Sequence, residues 1–195
     1  MLYVIFILLY FLSGDAFIKM LPCLFLAHES DKVGLMATFT FAALGDFFFH
    51  APETFFVGVL FFTIMNLSLI KNIRELYASN YVLIWTVWMQ YLALILVAIL
   101  QYVFYSVFQN LVTLLIVDVY ATSLLYMLYT TFAYKIREVR INKFNLSCRH
   151  AAILFVVSDI FILLKFATEM NLSIVGLPLY WASMSLFHST LKTNL

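Results

Sequence analysis

Three carboxylates stand where an apolar chain has least use for them. Asp46 lies near the end of a run that opens at Val33, and no Lys or Arg falls within ten residues of it on either side. Asp118 and Asp159 sit inside two later runs, and Lys19 and Lys165 mark the ends of others. A charge at the centre of a bilayer costs roughly 2.5 to 3.5 kcal/mol on insertion scales, so such residues are usually functional or paired. Two carboxyls held near each other can take opposite protonation states, one serving as acid and the other as base. The competing reading of Asp46 and Asp159 is structural: an ion pair with Lys19, or hydrogen bonds to hydroxyls. Asp118 reads as an ordinary buried or interfacial acid, because the face made by Tyr120, Ser123 and Met127 turns away from it. Lys165 reads as a side chain that snorkels to the interface.

The elements that must position these groups follow from composition. The chain has 195 residues, 65% hydrophobic, 18% aromatic and 11% charged. Its mean hydropathy is +1.02. A soluble domain is about 25% charged, so too few polar groups are present to cover a globular surface. The expectation is an all-α, polytopic membrane helix bundle, one transmembrane domain over residues 1–195. Backbone groups in lipid must bond internally, and long unbroken apolar runs favour helices over a barrel, whose strands alternate. Apolar segments fall at about 1–14, 16–28, 33–50, 54–70, 81–106, 110–134, 147–166 and 172–191, which makes eight spans. The opening MLYVIFILLYFLSG lacks the positive n-region of a signal peptide. Ser13-Gly14-Asp15, His28-Glu29-Ser30-Asp31, Ala51-Pro52-Glu53 and Asn142-Lys143 read as turns between runs. Pro22 and Pro178 lie within runs and should kink or begin helices.

Charge supports the count independently. With eight spans, Lys32, Lys71, Arg74, Lys135, Arg137, Arg140, Lys143, Arg149 and Lys192 share one side, nine of the eleven basic residues. That is the positive-inside pattern, with both termini cytoplasmic. At about 1.5 Å per residue, Asp46 lies about 20 Å up from that face and Asp159 about 15 Å, while Asp118 descends about 12 Å from the far side. Lys19 enters from the far side too, so the acids and this lysine can meet in the non-cytoplasmic half. Ala42, Ala43, Ala151 and Ala152 precede the two acids at helical spacing, and small residues let helices approach closely. Asp46 and Asp159 should therefore face protein. Cys23 and Cys148 read as inert packing residues, and no disulfide framework or metal-ligand set is expected. His28 and His50 should face headgroups, and His188 should lie away from the acids. Of three N-x-S sequons, only that at Asn171 falls on the far side, close to the membrane. No basic run points to nucleic acid.

The residues also carry a resemblance. Lys19-Met-Leu-Pro22, Leu44-Gly45-Asp46, Phe55-Phe-Val-Gly58, the spaced Tyr120 and Met127, and Ala152 to Ser158-Asp159 with Phe166 resemble, in order, the motifs of the YhhN-like lysoplasmalogenase family of eight-span proteins. Three places depart from that pattern. Asn66 stands where the family usually carries His, and Met184 where it carries Gln. Leu69 also replaces a usual Tyr.

The resemblance implies hydrolysis of the vinyl ether bond of a lysoplasmalogen, without cofactor or metal, giving a fatty aldehyde and glycerophospho-ethanolamine or -choline. It implies Asp46 and Asp159 as catalytic acids in unassigned order, and Lys19, Tyr120, Tyr180 and Asn66 as substrate-binding residues. The partners are then a lysophospholipid and membrane lipid. The membrane would be the endoplasmic reticulum in a eukaryote or the inner membrane in a bacterium. A catalytically divergent lipid binder or transporter of the same fold is the alternative, favoured by the departures at Asn66 and Met184. An intramembrane aspartyl protease also uses two acids, but its G-x-G-D and P-A-L signatures are missing.

Overall fold

A computed structural model describes residues 2–77, 81–83, 95, 102, 111–136, 142–168 and 172–193. The described residues form seven α-helices: α1 (Leu2–Ser13), α2 (Ala16–His28), α3 (Val33–Phe48), α4 (Phe55–Tyr77), α5 (Leu111–Ala133), α6 (Asn142–Thr168) and α7 (Ser173–Thr193). Each coincides with an expected apolar segment. The expected span at 81–106 falls almost wholly outside the described residues. Its first three, Tyr81–Leu83, form a short strand β1 paired antiparallel with β2, Tyr134–Ile136. That corrects the expected start of the fifth span: a Tyr-Val-Leu triplet suits a strand as well as a helix, and hydropathy does not separate the two.

The turns are built locally. Gly14 adopts φ +67°, a left-handed conformation that side chains disfavour, and ends α1. The Asp15 side chain then accepts from the Phe17 amide at 2.7 Å and caps α2. Thr54 closes the α3–α4 connection by donating to the Phe48 carbonyl at 2.6 Å. Asn142-Lys143 is not a turn between helices: α6 starts there, because a helix can extend beyond the apolar stretch that reveals it. Pro22 and Pro178 both lie within helices.

Helices adjacent in sequence pack on one another from α1 to α7, and α7 also touches α2, α3 and α4. Trp181, Met184, Phe187 and Leu191 of α7 are fully buried, so this helix forms the spine of the core. Ala42, Ala43, Ala151 and Ala152 are buried as their spacing implied. The α3–α4 contact is close because two glycines permit it. A Cβ on Gly58 would lie 2.6 Å from the Phe49 amide nitrogen, and one on Gly45 would lie 2.9 Å from the Phe62 ring.

Contacts also order the helix ends. Lys192 at the end of α7 donates to the Glu29 carbonyl at 2.5 Å and lies 3.9 Å from the Glu29 and Asp31 carboxylates. Asn72 near the end of α4 donates to Thr38 near the start of α3. Arg149 near the start of α6 donates to Thr131 and Phe132 carbonyls at the end of α5, and the ribbon joins the chain after α4 to that after α5. The two basic residues of these contacts, Lys192 and Arg149, thus lie at one end of the bundle. Helices α4 and α5 are each long and apolar enough to cross a membrane.

Candidate active site

The bundle's other half holds its buried charge. Asp46 stands in the last turn of α3 and is 1% exposed. Its Oδ1 lies 3.4 Å from the Lys19 Nζ, which α2 delivers one turn from its start. Its Oδ2 accepts from the Tyr180 hydroxyl of α7 at 3.1 Å and from the Cys23 thiol of α2 at 3.6 Å. The thiol and that hydroxyl are themselves 3.4 Å apart. Lys19 is 7% exposed and its ammonium also lies over the Phe49 ring, 5.3 Å from the centroid. A cation, a hydroxyl and a thiol therefore converge on one carboxylate in a dry environment, where each bond is stronger than in water.

Asp159 of α6 has simpler company. Its Oδ2 accepts from the Tyr120 hydroxyl of α5 at 2.5 Å. Among the described residues no cation pairs with it, and no hydrogen bond joins it to Asp46. The two groups are linked through aromatic packing. The Phe62 ring lies 6.4 Å from that of Tyr120 and 6.0 Å, edge-on, from that of Tyr180. One apolar ring thus touches the tyrosine of each acid.

Asn66, one turn beyond Phe62 on α4, is fully buried. Its Nδ2 donates to Ser123 at 3.1 Å, while its Oδ1 has no partner among the described residues. Met184 is buried in the core. Asp118 is partly buried on a different face of α5 from Tyr120. His28 and His50 are exposed at helix ends, and His188 packs edge-on against Phe39. The side chain of Lys165 and the sequon at Asn171 lie outside the described residues. Among the described residues no three His, Cys, Asp or Glu side chains form a metal-ligand group.

Of the residues singled out in the sequence, the structure brings Lys19, Asp46 and Tyr180 into one cluster, Tyr120 and Asp159 into a second, and sets Asn66 beside Ser123. Cys23 is not inert packing: it contacts both Asp46 and Tyr180. One signal pointed to it, since Cys23 follows Lys19 by four residues and so shares its helix face. The position of Phe62 between the two tyrosines had no such signal. It depends on a contact among α4, α5 and α7 that local spacing does not encode.

Residues 2–191 match the sequence profile described as the YhhN family. No curated protein and no solved structure matches the chain.

Proposed function

The chain belongs to the YhhN family, and from that premise we propose that it is a membrane lysoplasmalogenase, hydrolysing the vinyl ether bond of a lysoplasmalogen with Asp46 and Asp159. The observation that carries the reading is the unequal company of two carboxyls, Asp46 buried and Asp159 partly buried. A vinyl ether is cleaved by protonating its outer alkene carbon, which leaves an oxocarbenium ion; water adds to that cation, and the hemiacetal collapses to aldehyde and glycerol hydroxyl. One carboxyl must carry a proton and the other a charge, as in glycosidases acting on a similar cation.

Asp159, with a hydroxyl partner and no cation among the described residues, is the proton donor. Asp46, faced by Lys19 and by two donors, is the carboxylate that faces the cation and takes the proton of the added water. A proton returned from Asp46 to Asp159, directly or through water, resets the pair. Tyr120 and Tyr180 fix the two carboxyls, and Phe62 keeps the space between the tyrosines apolar, as suits a hydrocarbon chain. Lys19 and Asn66 are the groups assigned to the polar part of the lipid. No cofactor enters these steps.

The protein on this reading has eight spans with both termini cytoplasmic, in the endoplasmic reticulum of a eukaryote or the inner membrane of a bacterium. Reporter fusions at residues 31 and 53, expected on opposite sides, test that topology. The activity is tested by aldehyde release from a lysoplasmalogen, using purified protein beside Asp46→Asn and Asp159→Asn. Release by the wild type alone supports the pair, and full activity in either variant refutes it. The amide at Asn66 and the thioether at Met184 favour one second reading, a lipid binder of the same fold. Lipid binding without turnover, retained in both variants, would select it.

A further inference from the structure

Ser158 is 0% exposed, and among the described residues its Oγ has no partner. A buried serine in a helix ordinarily turns its hydroxyl back onto a carbonyl of the preceding turn. The helical threonines Thr38, Thr63 and Thr130 do so, to Gly34, Val59 and Tyr126. Ser183 instead bonds across helices to Ala151. Ser158 does neither, although a buried polar group without a bond is costly.

Its position is informative. Ser158 follows Phe155 by three residues and so shares its face, and the Phe155 ring lies 5.8 Å from that of Tyr180. The Ser158 carbonyl is 3.3 Å from where a Cβ on Gly176 would stand, so α6 and α7 meet closely here. The hydroxyl therefore lies at the α6–α7 seam, next in sequence to Asp159 and close to the helix that supplies Asp46 with Tyr180.

We infer that the Ser158 hydroxyl binds a hydroxyl group that enters the site with the reaction: the free glycerol hydroxyl of the lysolipid, or the water that adds to it. A serine offers one donor and acceptor lone pairs and no charge, so it matches a neutral hydroxyl and not a phosphate. The inference rests on the lysolipid reading above.

The test uses the purified full chain and Ser158→Ala. Binding is measured calorimetrically with a saturated 1-alkyl lysophospholipid, which cannot be hydrolysed, and with its 2-deoxy counterpart. Aldehyde release from the 1-alkenyl lipid gives kcat and KM. About tenfold weaker binding of the alkyl lipid, with the deoxy lipid unchanged, identifies the lipid hydroxyl; a tenfold change is what one ordinary hydrogen bond commands. About tenfold lower kcat with binding unchanged identifies the water. Binding and kcat both within twofold of wild type overturn the inference. If the wild type releases no aldehyde, loss of hydroxyl discrimination in the variant keeps the site and removes the hydrolytic reading, and unchanged discrimination removes both. Ser158→Cys, of similar volume and weaker hydrogen bonding, serves if the alanine variant does not fold.

Discussion

Lys19→Met should unfold the protein far more readily than its single contact with a carboxylate implies at a surface. The ammonium and Asp46 Oδ1 are 3.4 Å apart and both residues are buried. At that distance the Coulomb attraction is roughly 5 kcal/mol for an effective dielectric constant of 20. Removing one partner of a buried pair costs about 3 to 5 kcal/mol, because the other charge stays behind in a dry site. For a chain of this length, that corresponds to a fall in Tm of about 6 to 20 °C. The double variant Lys19→Met with Asp46→Asn removes both charges and leaves an amide within reach of Tyr180 and Cys23. It should recover most of the loss, since replacing both members of a buried pair is often close to neutral. The assay is thermal unfolding in detergent for the wild type, both single variants and the double. Strong coupling between the two positions is the expected result. Losses that simply add, or a Lys19→Met midpoint within a degree of wild type, would refute the argument that this ion pair is the bundle's critical buried charge.

Four other outcomes follow from the same geometry. Tyr120→Phe removes the hydroxyl on Asp159 and should lower kcat for aldehyde release about tenfold with the fold retained; an unchanged rate would show that Asp159 needs no orientation. Gly58→Ala forces a Cβ against the Phe49 backbone and should cost about 1 to 3 kcal/mol in thermal unfolding. Gly14→Ala meets no neighbouring atom but sits at φ +67°, and should cost about 1 kcal/mol; a larger loss at Gly14 than at Gly58 would contradict the distinction between crowding and backbone strain. Lys192→Ala removes partly exposed ion pairs with Glu29 and Asp31 and the hydrogen bond to the Glu29 carbonyl, so stability should change by about 1 kcal/mol or less and turnover not at all.

The helices were legible because lipid-soluble sequence is monotonous. An apolar run long enough to be seen is nearly always a helix, and seven of these runs are helices in the structure. Their ends were less legible: α4 runs on to Tyr77 and α6 begins at Asn142, in polar residues that hydropathy discounts. The acids were legible as anomalies, since Asp46 and Asp159 have no reason to be in such runs unless something holds them. What holds them was half visible. The likeness of motifs pointed to Lys19, Tyr120 and Tyr180, but not to which tyrosine serves which acid. Tyr180 is 134 residues from Asp46, and only the return of α7 onto α2 and α3 brings them together. Cys23 reads as packing in the sequence because a thiol in an apolar helix looks the same whether it packs or bonds.

The segregation of basic ends from the two acids gives the proposed chemistry a direction. Lys192, Arg149 and Asn72 mark one end of the bundle, whereas Lys19, Asp46, Tyr120 and Asp159 lie toward the other. On the topology proposed above, the lysolipid is read from the outer leaflet, or its lumenal equivalent. The cut then sorts its products by solubility. The glycerophospho fragment leaves into the compartment across the membrane from the cytosol, while the aldehyde stays in the hydrocarbon and can cross to cytosolic enzymes. Supply of substrate to that leaflet by lipid flipping would then limit flux as much as the acids themselves.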